Sequence, residues 1–228
     1  MSYMWNKFNI KTFPSETLVY VDGVFRSDLS TLSETEIFSK KYDLPVHIIC
    51  VGKIEREITL NINITAENQS FFLTVDLENN FPGFLNIFIK NAGKNSELRG
   101  HIMVKNYSDF AEKIIAEHTA PDTGILIQTK IIGHKNSYSC MSAVAIINKN
   151  CPNTKSDIRL AGHTTDNSAK IKFNPAQRIK SVPDFAEHSA YMMHATGPQE
   201  NYLRTAGLSG AEVKEAITEA FTKDFNLF

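Results

Sequence analysis

From Pro45 onward the chain is a succession of short apolar segments, and that run constrains the fold more than any other feature. "VHIICVG", "REITLNINIT", "FFLTVDL", "FLNIFIK", "ELRGHIMVKN", "GILIQTKIIG", "SCMSAVAIIN", "SDIRLAG" and "AKIKFNP" follow one another. Each is alternating or rich in β-branched residues, and each is bounded by Asn, Gly, Asp, Pro or Lys. The alternation puts Ile58, Leu60, Ile62 and Ile64 on one face, and Ile125, Ile127 and Ile131 on another. Strands recurring about every 10 to 15 residues indicate an all-β core: a sandwich, a barrel or a β-helix. Periodicity does not choose among the three. The absence of a strict hexapeptide repeat argues against a left-handed β-helix. The segment from Ser108 to Pro121 fits a helix or a strand. The near-echo of its "DFAE" at Asp184 favours strand.

The flanks read differently. "TLVYVDG" predicts a short strand closed by an Asp-Gly turn. "SDLSTLSETEIFSKKYDLP" is polar and punctuated, with room for a short helix. Past His194 the strand pattern stops. "ATGPQENYLRTAG" predicts a short helix, with Pro198 in its first turn and Gly207 at its end. In "LSGAEVKEAITEAFTKDF", Ser209 and Glu212 form a capping box, and Leu208 and Val213 are placed for a hydrophobic staple. Val213, Ile217, Ala220 and Phe221 then line one helix face. The expected organisation is an N-terminal segment over 1–44, a β core over 45–195 and a helical segment over 196–228.

Composition narrows the function. Lys plus Arg is 24 against 25 for Asp plus Glu, so the net charge of −1 gives no electrostatic case for nucleic acid or a membrane surface. No apolar run approaches the roughly 18 residues of a membrane span. "MSYMWNKFNIKTF" has no apolar core behind its lysines, so a cytoplasmic protein is expected. Three cysteines without a C-x-x-C pair argue against a disulfide framework or a structural zinc site. Phosphate-binding, dinucleotide-binding, nucleophile-elbow and H-E-x-x-H motifs are all missing.

The remaining candidates are histidines and cysteines. Cys50 and Cys140 read as small core residues and Cys151 as a more exposed strand-boundary residue. His134 and His163 each follow a Gly, which suggests turns. In "PDFAEHSAYMMHAT", Glu187 and His188 project from a strand to opposite faces, so they do not grip one ion without a bulge. The reading from residues alone makes His188 a packed histidine. Met192, Met193 and His194 read as structural.

Three stretches carry a family likeness. "TLVYVDGVFRSDLS", "LPVHIICVGKIE" and above all "EHSAYMMHATGPQENYLRTAGLSGAEVKEAITEAF" resemble the SufB/SufD family of iron–sulfur cluster assembly scaffolds. The likeness runs from about Thr17 to the end, is most distinctive at the C-terminus, and lacks the family's N-terminal helical region. It implies a right-handed parallel β-helix followed by C-terminal α-helices. It implies a non-enzymatic scaffold that pairs as a homodimer, or as a heterodimer with a SufB-like subunit, and docks a SufC-type ABC ATPase. Tyr202, Leu203, Val213, Ile217 and Phe221 fall on the docking segment. The family's histidine, a ligand for iron or a transient iron–sulfur cluster, falls on His188, with Glu187 as an accessory. Ser156 stands before Asp157 where SufB-type members carry a cysteine, which places the chain nearer the SufD type. Cys151 lies five residues upstream, out of register. Two other readings stay open: an interaction module that has lost cluster chemistry, and a carbohydrate-acting β-helix enzyme.

Overall fold

A computed structural model describes residues 16–32, 38–193 and 197–223. After an opening hairpin, β1 (Thr17–Val21) and β2 (Val24–Phe25), the chain lays down eleven strands. They are β3 (Val46–Ile54), β4 (Glu57–Ile64), β5 (Ser70–Asn79), β6 (Gly83–Asn91), β7 (Glu97–Asn106) and β8 (Asp109–His118). β9 (Gly124–Gly133), β10 (Tyr138–Ile147), β11 (Lys155–Thr164), β12 (Lys170–Ile179) and β13 (Phe185–Met193) complete the set. Two helices follow, α1 (Gly197–Thr205) and α2 (Gly210–Lys223).

From β3 onward, odd and even strands sort into two sheets, and the opening hairpin joins the odd one. One runs β13, β11, β9, β7, β5, β3, β1, β2; the other runs β12, β10, β8, β6, β4. Every pairing is parallel except that of β1 with β2. The result is a parallel β-solenoid of about six turns, with helices at its C-terminal end. Parallel strands need crossover connections; here each crossover is itself a strand of the opposite sheet.

Registration converts sequence alternation into core columns. Phe71 sits beside Leu98, and Leu98 beside Ile125. Ile58, Leu60, Ile62 and Ile64 are buried together, as are Ile125, Ile127 and Ile131. The segment Ser108–Pro121 is strand over Asp109–His118. The corners repeat as well. Asn68, Asn95, Asp122 and Asn153 all hold left-handed φ between 55° and 58°, a conformation Asn and Asp tolerate better than other side chains. Asn95 donates to Asn68, 27 residues back, at 3.1 Å, and Asn153 to Asp122 at 3.0 Å. Inside, Asn79 donates to Asn106 and Asn106 to Ser139, each at 2.8 Å. The inner ladder satisfies amide groups that burial would otherwise leave orphaned, although Asn79 Oδ1 keeps no partner.

The predicted hairpin forms, with Asp22 and Gly23 at φ 53° and 80°. The polar stretch after it lies partly outside the described residues, at 33–37; its described remainder is turn and bend. α1 ends at Thr205, and Gly207 just beyond it takes the left-handed φ of 96°. The capping box closes in both directions: Ser209 N–H donates to Glu212 Oε2 at 2.8 Å, and Glu212 N–H to Ser209 Oγ at 3.3 Å. Of the expected apolar face, Val213 and Phe221 are buried and Ile217 is half-buried, whereas Ala220 is exposed.

The two ends of the solenoid are unlike. Tyr20, Phe25, Leu32, Phe38 and Tyr42 pack against the core; all belong to the first turn or the segment leading into it. At the C-terminal end, Ile171 and Phe173 on the inward face of β12 are only half-buried, and Ile179 is 46% exposed. On β13, His188 and Ala190 are exposed. Among the described residues, the last rung therefore has no layer above it.

Candidate functional site

The site begins with β11, whose alternation fixes what β13 can do. Ser156, Ile158 and Leu160 are buried on the core side, while Arg159 is exposed on the other. β13 pairs with β11 in parallel, setting Ala186 beside Ser156, Glu187 beside Asp157 and His188 beside Ile158. Paired residues share a face. His188 thus continues a column of core side chains, but at the uncovered rung. Glu187 stands on the outer face. The two project oppositely, as the strand reading requires.

That geometry bears on metal binding. No group of three or more His, Cys, Asp or Glu side chains converges among the described residues. Ser156 is fully buried and its hydroxyl has no partner. Asp157 is 8% exposed and engages Arg159 Nη2 at 2.7 Å. His188 and Glu187 alone do not fit a metal ion or cluster, and no further donors join them among the described residues.

The expectations for Cys140 and Cys151 reverse, while that for Cys50 holds. Cys140 lies on the outer face of the second sheet, half-buried, because Met141 and Ala143 take the inward positions of β10. Cys151 is fully buried, and burial raises its thiol pKa. Cys50 is core, its thiol pushed up to about 12 by burial. His134 does occupy a turn, stacked on Tyr107 at 4.0 Å. His163 does not: it sits within β11, 6% exposed, with Nδ1 donating to the Met193 carbonyl at 3.2 Å and Nε2 3.1 Å from Thr218 Oγ1.

His163 is part of the seat for α2. Phe221 is 1% exposed and clusters with Met103, Ile132 and Ala161, with Met193 packed alongside. Lys130 Nζ donates to the Phe221 carbonyl at 2.7 Å, a cation at the helix C-terminus where the dipole favours it. Val213 is also buried, at 2% exposure. Val213 and Phe221 therefore hold the helix within its own chain and are not available to a partner in this arrangement. Tyr202 is 73% exposed, and Leu203 and Ile217 are half-buried. Met192 is half-buried near Gly162; His194 lies outside the described residues.

The two free edges of the last rung differ. Alternate outward positions of β12 carry Lys170, Lys172 and Arg178, with Pro175 between them. Lysines and proline are devices that discourage further strand addition. β13 has neither Lys, Arg nor Pro.

A trough of about 410 Å³ lies on the outer face of the first sheet, lined by Arg99, His101, Leu126, Gln128, Arg159 and Glu187 among others. Only Glu187 of these is singled out by sequence. The available signal is a carboxylate two residues before each arginine, Glu97 before Arg99 and Asp157 before Arg159. No described helix is long and apolar enough to cross a membrane. The sequence matches no protein-family model and no curated protein.

Proposed function

We propose that this chain is a SufD-like scaffold subunit for iron–sulfur cluster assembly, without enzymatic activity of its own. It pairs through its last rung with a second copy or a SufB-like subunit, and its helical tail serves a SufC-type ABC ATPase. One observation carries this reading: the solenoid stops at an uncovered rung whose unguarded edge strand holds His188 on the core column, and a two-helix tail follows immediately. An exposed edge of this kind is a template for another strand. Pairing there covers the apolar end and brings a second set of donors to His188, which one chain lacks. The docking surface on the tail is then centred on exposed Tyr202, because Val213 and Phe221 are occupied.

Co-purification with a SufC-type ATPase tests the partner. Anaerobic reconstitution of wild type and His188→Ala tests the ligand. His188 is exposed, so the variant keeps its fold; the expected result is a loss of bound iron. Equal iron stoichiometry in both proteins removes the ligand role. A second reading, an interaction module without cluster chemistry, is favoured by one feature: buried Ser156 at the position before Asp157. It predicts pairing and ATPase binding with no iron retained in either protein.

A further inference from the structure

We infer that the trough on the outer face of the first sheet is a binding site for an acidic sugar, a hydroxylated ring bearing one carboxylate. The trough opens on the sheet face rather than along the pairing edge, although Phe185 and Glu187 of β13 form part of its wall. Its floor is the middle of β9, where Leu126 and Gln128 point outward between two walls. Register sets Arg99, Leu126, Asp157 and Glu187 in one row, and His101, Gln128 and Arg159 in the next. The arginine-bearing strands flank β9, so they stand two strand spacings apart, roughly 10 Å. Arg99 and Arg159 line the trough on opposite sides of β9.

Each arginine is held in place by its own strand. Arg99 Nε bonds Glu97 Oε1, and Arg159 Nη2 bonds Asp157 Oδ2 at 2.7 Å. A guanidinium has five N–H donors, so each retains several for a ligand in a fixed plane, the geometry that suits a carboxylate fork. The acidic groups narrow the class further. Glu187 stands exposed on the same wall as Arg159. Acceptors of this kind repel a dianion such as phosphate and suit ligand hydroxyl groups. Gln128 supplies both a donor and an acceptor, and Phe185 with Leu126 offers apolar surface to a ring face. A volume of about 410 Å³ lies within the small-ligand range.

The test is calorimetric titration of the full chain with D-galacturonate and its disaccharide, with D-galactose and L-alanine as controls. Saturable binding of the uronates, and about tenfold weaker binding of both controls, is expected. Arg99→Lys and Arg159→Lys keep the charge but lose the fork, and each should weaken uronate binding about tenfold while the melting temperature holds. Gln128→Ala, which disturbs no ion pair, should weaken it as well. Absence of uronate binding, equal binding of galactose or alanine, or full affinity in all three variants would overturn the assignment.

Discussion

Glu112 sits on the inward face of β8, 2% exposed, between Leu85 and Met141 in register. Thr129 donates to its Oε1 at 3.3 Å, and Oε2 has no partner. Burial pushes its pKa up to about 8, against the partial offset of the Thr129 bond. In the unfolded chain a glutamate titrates near 4.3. Between those values the folded chain holds a proton that the unfolded chain has lost. Its contribution is full below pH ~4.3 and falls by about 1.4 kcal/mol per pH unit up to pH ~8. His118 acts oppositely. It is fully buried, its Nδ1 lies 2.8 Å from Thr123 Oγ1, and burial lowers its pKa to about 4. Its contribution is full above pH ~6.5, the unfolded value, and falls as the pH drops toward 4. The two slopes cancel from roughly pH 4.5 to 6.5. Above 6.5 only Glu112 remains, and about 2 kcal/mol should be lost by pH 8. Urea unfolding of wild type and Glu112→Gln at half-unit steps of pH reads this directly. The neutral amide should abolish the decline from 6.5 to 8 and uncover the rise that His118 produces below 6.5. Parallel stability curves for the two proteins would refute the claim that Glu112 is carried as a neutral acid.

Three further expectations follow from the same contacts. Asn106→Ala removes a fully buried amide that serves Asn79, Ser139 and the Tyr138 carbonyl, so it should cost about 2 to 4 kcal/mol in chemical denaturation; a loss under 0.5 kcal/mol would show that the ladder is not structural. Phe221→Asp places a charge in the Met103–Ile132–Ala161 seat and should release α2, raising amide exchange along the helix and around Lys130 while β5–β8 stay protected; an unchanged exchange pattern would mean the seat is misassigned. Ala190→Lys, on the inward face of β13, should leave the melting temperature unchanged and weaken pairing of the last rung at least tenfold by sedimentation. A dimer of wild-type affinity would move the interface elsewhere.

The fold was legible where burial is one-sided and regular. Alternation at Ile58–Ile64 and Ile125–Ile131 gave strands, and the Ser209–Glu212 box gave the start of α2. The capping signals are local, so tertiary context does not override them. The 27-residue spacing from Asn68 to Asn95 and from Asn79 to Asn106 is the clearest mark of the rungs. It is easily missed, because the step from Asp122 to Asn153 widens to 31 residues and that from Asn106 to Ser139 to 33. Cys140 departs from the core expected of its residue type because parity decides its side: Met141 and Ala143 claim the core side of β10. The site was legible only in part. Sequence shows that Glu187 and His188 point apart, but the trough pairs Arg99 with Arg159 across β9, and register of that kind is not written in any local pattern. The fate of Val213 and Phe221 was hidden for a related reason. An apolar helix face states that something covers it, not whether the cover is the same chain.

The proposed role rests on an uncovered last rung and an adjoining helical tail. Sedimentation velocity of the chain alone, and then with a SufC-type ATPase, addresses both at once. The expected result is a concentration-dependent dimer that shifts to a larger complex when the ATPase is added. A monomer at every concentration, with no change on adding the ATPase, would contradict the scaffold reading.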